Sequence, residues 1–342
     1  MHYLPWHKTL FEQLIGNTDA MGHALLIHGP RGVGKLAFAT ALAQALLCET
    51  PMQSGIACGT CSACRWLAAG NHPDFRCIEP ANLVERTEQG EAEGTEKRNS
   101  RQITVDEVRT LTQFIGISSH RGGAKVILLH PAEALNVNAA NALLKSLEEP
   151  PPGNYFLLVA HRPSSLPATV RSRCRQVPLA RPTLEVAAEW LRGEGIADPS
   201  LALAHTGNAP LLARELAQAD YWQQRDTLLQ NIASAEFDAL ATAERVRDYK
   251  PDEVVGWLQK WTFDVLLQRA AGSIRYNPDF AEPIKLLASA VDPLALLRCH
   301  RDLIRLQRVV QHPLNPRLLL EMLLLDYQRA IAPAACVADR AG

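Results

Sequence analysis

Ala24-Leu25-Leu26-Ile27-His28-Gly29-Pro30-Arg31-Gly32-Val33-Gly34-Lys35-Leu36 decides the fold. Its first five residues form a short apolar run ending in a Gly-Pro turn signal, the pattern of a buried strand. Leu36 to Leu47 is rich in Ala and Leu, has no Gly or Pro, and reads as a helix. Between them stands G-x-x-x-x-G-K, the phosphate-loop spacing in its proper strand-to-helix setting. Gly29, Gly32 and Gly34 let backbone N–H groups turn inward around a phosphate. The helix N-terminus adds positive potential, and Lys35 would reach the β- and γ-phosphates. The plainer alternative is a Gly-rich turn that only joins strand to helix.

Two parts of the phosphoryl-transfer apparatus are missing. The position after Lys35 should carry a hydroxyl that ligates Mg²⁺. It is Leu36, which has no ligand atom. A later strand should end in acidic residues that hold the metal and orient water. Lys125-Val126-Ile127-Leu128-Leu129 instead runs into His130-Pro131, and Glu133 lies further on, expected to point elsewhere. Loss of a general base alone costs roughly 10²–10⁴ in rate, so no meaningful ATP hydrolysis is expected from this chain.

Outward from the loop, Phe75–Ile78, Lys125–Leu129, Tyr155–Val159 and Arg175–Leu179 read as further strands, with a helix over Asn136–Leu147 stopped by Pro150-Pro151-Pro152. Strands alternating with helices imply a parallel sheet. Beyond residue 180 the strand signal fades. Helices are expected over Thr183–Arg192, Pro199–His205, Pro210–Ala219, Asp252–Ala271, Pro293–Gln311 and Asn315–Ala330. Arg86 to Arg101, rich in Glu, Gly and Thr, reads as a flexible surface insertion. The apolar stretch Leu318–Leu325 suits a buried helix.

The 342 residues suffice for two or three domains. With 35 Lys and Arg against 36 Asp and Glu, the net charge of -1 argues against a basic nucleic-acid binder. The N-terminus lacks the basic and apolar regions of a signal peptide. No apolar run reaches the roughly 18 residues of a membrane span, so the cytosol is the expected compartment. In that reducing setting the eight cysteines are better read as metal ligands or buried apolar groups than as disulfides. Cys58, Cys61 and Cys64 are spaced by two residues each, and Cys48 precedes them at the end of the phosphate-loop helix. Four thiolates at this spacing fit a closed, structural Zn²⁺ site, with Gly55 and Gly59 supplying its turns. Cys77, Cys174, Cys299 and Cys336 are unclustered and read as ordinary residues.

A phosphate-loop unit interrupted by a four-cysteine module resembles bacterial clamp-loader AAA+ subunits. Asn138-Ala139-Ala140-Asn141-Ala142-Leu143-Leu144-Lys145-Ser146-Leu147-Glu148-Glu149-Pro150-Pro151 resembles their signature. So do Leu166-Pro167-Ala168-Thr169-Val170-Arg171-Ser172-Arg173-Cys174 and His72-Pro73-Asp74. The likeness covers residues 1–215; the rest matches only in being helical. It implies an α/β then all-α chain: an AAA+ RecA-like domain with its zinc module (1–178), a helical lid (179–215) and a helical collar (216–342). It also implies that Arg173, in the Ser-Arg-Cys motif, serves as an arginine finger in the ATP site of a neighbouring subunit. Arg171 or Arg175 could face the neighbour instead.

Within the family, the degenerate loop points to a non-hydrolysing stator rather than an ATP-hydrolysing γ/τ subunit. Pro210, after Gly207-Asn208-Ala209, stands where family ATPases carry a sensor arginine. Implied partners are γ/τ and δ subunits in a hetero-oligomeric ring, and through them the sliding clamp and primed DNA. ATP or ADP at Gly29, Gly32, Gly34 and Lys35 is left open. Two other readings remain: an active P-loop ATPase, and a stand-alone zinc-dependent DNA-binding protein.

Overall fold

A computed structural model of the chain describes residues 3–84, 102–120, 123–217, 219–307 and 315–332. The expected insertion at Arg86–Arg101 and Cys336 lie outside the described residues. The chain divides into two compact units, Met1–Pro182 and Thr183–Gly342.

The first unit is built on five parallel strands: β1 (Ala24–His28), β2 (Phe75–Ile78), β3 (Lys125–Leu129), β4 (Asn154–Ala160) and β5 (Arg175–Pro178), in the order β2-β3-β4-β1-β5. Its longer helices are α1 (Lys8–Ile15), α2 (Lys35–Leu47), α3 (Ser62–Ala68), α4 (Val105–Gly116) and α5 (Val137–Glu148). The strand side chains sort by parity, as the pleat requires. Leu26, Ile127, Leu129, Phe156 and Leu158 pack with Val108 and Leu111 of α4 and Leu143 of α5. Leu25, Ile27, Val126, Leu128, Leu157 and Val159 pack with Phe11 of α1 and Phe38 and Leu42 of α2. Burial on both faces explains why these strands read as unbroken apolar runs. Because the strands are parallel, the C-terminal ends of β1, β3 and β4 gather at one edge, where open α/β sheets bind ligands.

Sequence reading placed the strands and α5 within a residue or so of their ends. It passed over α4, although Thr104 and Glu107 form a complete capping box at its start. That S/T-x-x-E signal was available in the sequence.

The second unit is helical: α6 (Leu184–Gly193), α7 (Ser200–His205), α8 (Pro210–Glu215), α9 (Ala219–Ala233), α10 (Ala239–Arg245), α11 (Pro251–Ala271), α12 (Ala281–Ala290), α13 (Pro293–Leu306) and α14 (Pro316–Ile331). The stretch expected as one helix over Pro210–Ala219 is a short helix and the first residue of the next. No Gly or Pro marks that break. The final residues expected for α13 fall in 308–314, outside the described residues. The unit holds two hydrophobic clusters. A small one joins Ala187, Leu191, Leu203 and Ala213. A large one surrounds Trp257 and Trp261 of α11, and the Trp261 indole N–H donates to the Tyr327 hydroxyl at 2.7 Å. α11 starts with Pro251 and ends on Gly272, whose φ of 64° gives the left-handed cap that glycine adopts without strain. In Leu318–Leu325, Leu319, Leu320, Leu323 and Leu324 are buried, while Leu318 and Met322 are exposed. Among the described residues no helix is long and apolar enough to cross a membrane.

Leu158→Ala in the central strand β4 should destabilise the first unit by about 2–5 kcal/mol. Val137→Ala, at an exposed position of α5, should stay within about 0.5 kcal/mol. Urea unfolding of both variants checks the contrast.

Candidate functional site

The phosphate loop spans β1 to α2 with Gly29, Gly32 and Gly34 all at positive φ. At Gly29 a Cβ would lie 2.3 Å from the Leu179 carbonyl oxygen, so glycine is required there. Lys35 is 3% exposed. Its ammonium is turned back onto the loop itself, donating to the Gly29 carbonyl at 2.8 Å and the Pro30 carbonyl at 2.5 Å. Burial pushes its pKa down to about 8; the Glu133 charge opposes this and Arg31 adds to it.

The N-terminal segment covers the same loop. Trp6 donates its indole N–H to the Val33 carbonyl at 3.0 Å. The Leu4 side chain fills the space beside Gly34, with the His7 ring next to it. His7 is buried edge-on to Phe38, and among the described residues neither ring nitrogen has a hydrogen-bond partner. The Pro5-Trp6 start carried no such meaning as sequence, because a lone aromatic near a terminus has no distinguishing pattern.

At the ends of β3 and β4, where metal-linked and sensing groups belong in an NTPase, stand His130 and His161. Their rings meet edge to face at 5.5 Å. Burial first, then the charges of Lys35 and Arg31, lower their pKa values to about 4 and about 3. Both rings are therefore neutral near pH 7. Glu133 is not turned away entirely, because its charge reaches Lys35. Both its carboxylate oxygens, however, accept the His161 backbone N–H, at 3.0 and 3.2 Å. Leu36 is half-buried against the α1/α2 side of the sheet. The loop therefore keeps its lysine, with Leu36 where a metal-binding hydroxyl belongs and Glu133 engaged by the His161 backbone N–H.

The four cysteines converge. The Sγ atoms of Cys48, Cys58, Cys61 and Cys64 all lie within 4.8 Å of one another. Cys48 and Cys61 sulfurs are 3.9 Å apart, close to the ~3.8 Å edge of a tetrahedron with 2.3 Å metal–sulfur bonds. Backbone N–H groups of Cys58, Cys61 and Cys64 donate to the sulfurs of Cys48, Cys58 and Cys61 at 3.2–3.4 Å. Such donors favour thiolates, and the donor set fits a metal. The Thr50 hydroxyl, with the Thr60 and Cys61 N–H groups, pulls the Cys58 pKa down to about 5. Gly55, at φ 75°, has no room for a Cβ, which would sit 2.2 Å from Ile15 Cγ2.

His72-Pro73-Asp74 anchors this module to the sheet. The Asp74 carboxylate accepts the His120 N–H at 3.0 and 3.1 Å, and its carbonyl accepts the Val126 N–H on β3. Trp66 on α3 packs edge-on against both His72 and His120. Cys77 is exposed, Cys174 buried and Cys299 half-buried, and none of them joins the cluster.

Arg173 follows the short helix Ala168–Arg171. Its guanidinium Nε donates to Glu148 at 2.6 Å and Nη1 donates to the Thr169 carbonyl at 2.9 Å. Its side chain stays about one-third exposed (32%). Glu148 belongs to the Leu147-Glu148-Glu149-Pro150 signature, so the two sequence motifs meet here. Sequence spacing alone gave no sign of that pairing. Arg171 buries its Nε, and Arg175 is exposed on the edge strand β5. In the second unit, Pro210 is buried at the first turn of α8, just after Asn208, which has a φ of 65°.

Acidification should weaken the first unit. His7 has a folded pKa near 4, below its unfolded value, so its contribution is complete above about pH 6.5 and is lost as pH falls toward 4. Between pH 7 and pH 5 the His7 share is about 2 kcal/mol, with His130 and His161 acting in the same direction. Urea midpoints at the two pH values should show the drop, and His7→Phe should remove the His7 share of it.

Comparison with known proteins agrees with this geometry. Family models described as DNA polymerase III, delta subunit, and DNA polymerase III, delta subunit, C terminal, match residues 7–183 and 219–329. A DNA polymerase III subunit delta' of Pseudomonas aeruginosa is 39% identical over 77% of this chain and 76% of its own. Its Escherichia coli counterpart is 33% identical over 97% of each chain. The E. coli DNA polymerase III subunit tau is 33% identical over 70% of this chain but only 36% of its own. A solved Thermotoga maritima protein, titled as related to the DNA polymerase III gamma subunit, superposes with a TM-score of 0.52 at 18% identity, covering 95% of this chain and 100% of that one, which shows the shared fold. With the parallel sheet, the phosphate loop and the helical second unit in place, the chain belongs to the DNA polymerase III delta-prime (δ′) subunit family.

Proposed function

We propose that this chain is a stator of the bacterial clamp loader, supporting ATP-driven loading of the sliding clamp onto primed DNA without hydrolysing ATP itself. The observation that carries this reading is Lys35, buried and satisfied by the Gly29 and Pro30 carbonyls of its own loop. Around it, Leu36, His130 and His161 replace metal-directed groups, and Glu133 is engaged by a backbone N–H. A loop in that state holds its shape without a nucleotide. The Trp6 and Leu4 contacts favour the same closed form.

The same reading assigns Arg173 to the ATP site of a neighbouring γ/τ subunit. A guanidinium is permanently charged and planar, suited to a transferring phosphoryl group. Its pairing with Glu148 is half-exposed, and such a pair holds a side chain at a cost of about 0–1 kcal/mol to release. Glu148 would thus present the arginine rather than trap it. The division into sheet domain (1–178), lid (179–215) and collar (216–342) is supported by the two separate hydrophobic clusters of the second unit. Further partners on this reading are the δ subunit and, through the ring, the clamp and DNA, in the cytoplasm. Zn²⁺ is the metal proposed for Cys48, Cys58, Cys61 and Cys64. When bound it would supply cross-linking and no chemistry, because four thiolates leave no open position.

Three measurements test this. The purified chain should show no ATP turnover above background, and a loader rebuilt with Lys35→Ala should load clamps at the wild-type rate. Turnover by the isolated chain that vanishes in Lys35→Ala would instead establish an active ATPase. Metal analysis should find one zinc per chain, lost in Cys61→Ser together with part of the first unit's thermal stability.

A further inference from the structure

The second unit holds a cleft of about 460 Å³ that plays no part in the reading above. Lys260 and Phe263 of α11, His205 at the end of α7, Tyr276 in the loop after α11, and His300 and Ile304 of α13 line it. No carboxylate is among its lining residues.

The acidic groups nearby are already engaged. Asp264, fully buried, accepts the backbone N–H groups of Arg275, Tyr276 and Asn277 and the Asn277 side-chain amide, at 2.8–3.1 Å. Asp226 and Asp279 bind the fully buried Arg225, whose other terminal nitrogen also reaches Asn277. That leaves Lys260. Among the described residues no hydrogen bond or ion pair holds its ammonium. Lys260 is half-buried, and burial with the Arg225 charge lowers its pKa to about 8.

His205, fully buried, also lines the cleft, and its Nε2 meets the Tyr221 hydroxyl at 2.9 Å. The apolar side of the cleft is aromatic. Phe263 and Tyr276 meet edge to face at 5.4 Å, and the His300 ring lies 6.2 Å from Phe263.

We infer that this cleft binds a small organic anion, its charged head on Lys260 and its apolar body against Phe263 and Tyr276. Lys260 is half-buried, so its ammonium is open to a ligand, and in a cleft whose lining holds no carboxylate an anion is the partner that pairs with it. A cation would meet Lys260 as a like charge, and a neutral molecule would leave the ammonium without a counter-charge. The lining residues come from α7, α8, α11, α13 and the loops beside them, so a bound anion ties these segments together and resists their separation on heating.

The test uses the full chain with phenyl phosphate and benzoate as probes and phenol as the uncharged comparator. Isothermal titration should give saturable one-site binding of at least one anion, with phenol weaker by about tenfold or more. The tighter of the two anions identifies the head group as phosphate or carboxylate. Lys260→Met, with its fold checked by circular dichroism, should weaken binding by about tenfold, and Lys260→Arg should retain it. In the unsubstituted chain, the ¹³C-methylated Lys260 resonance should shift along the same isotherm, which tests the site even if Lys260→Met does not fold. Absence of saturable binding by both anions, binding unchanged in folded Lys260→Met, or a Lys260 resonance that does not move would overturn the proposal.

Discussion

The ammonium of Lys35 sets the terms for the rest of the first unit. Taking a cation out of water costs several kcal/mol unless local groups replace the lost hydration. Here the replacement is the chain itself: two carbonyls of the phosphate loop at 2.8 and 2.5 Å, with the Glu133 charge in reach. The loop must curl tightly enough to aim those carbonyls inward, which is why glycine at position 29 packs against the Leu179 carbonyl. On the proposed stator reading, a lysine satisfied from within leaves the neighbouring positions free of metal-binding duty. A leucine, two neutral histidines and an N-terminal aromatic clasp occupy them.

The phosphate loop is rooted in the middle of the sheet. β1 lies between β4 and β5, paired to both, so the loop is fixed at its root by two ladders. At the far end of α2, Cys48 ties that helix into the four-thiol module, and Asp74 ties the module to β3. The helix after the phosphate loop is therefore held at both ends. Such an arrangement suits a subunit that must present a surface to its neighbour without changing shape through its own nucleotide cycle.

Much of this was legible in the sequence. The strands could be read because burial on both faces demands continuous apolar runs, and the cysteine module because tetrahedral ligation restricts spacing. The losses at Leu36, His130 and Pro131 were legible because the chemistry of those positions is strict. What escaped reading depends on long-range meetings of residues with no local pattern. Trp6 finds Val33, Arg173 finds Glu148, and Asp264 finds the backbone of Arg275, Tyr276 and Asn277. Glu133, expected to point away, lies within electrostatic reach of Lys35, since its direction depends on the backbone N–H of His161, just past the end of β4. The break between α8 and α9 was invisible because neither Gly nor Pro marks it.

The central claim is that the chain completes an active site it does not itself possess. The most direct measurement is clamp- and primed-DNA-stimulated ATP turnover by the rebuilt loader, comparing wild type with Arg173→Ala in this chain, with ring assembly verified by gel filtration. The account predicts that assembly is preserved while turnover at the adjoining site falls by a factor approaching the roughly 10³–10⁵ that a trans arginine contributes. Undiminished turnover from an intact Arg173→Ala ring would contradict it.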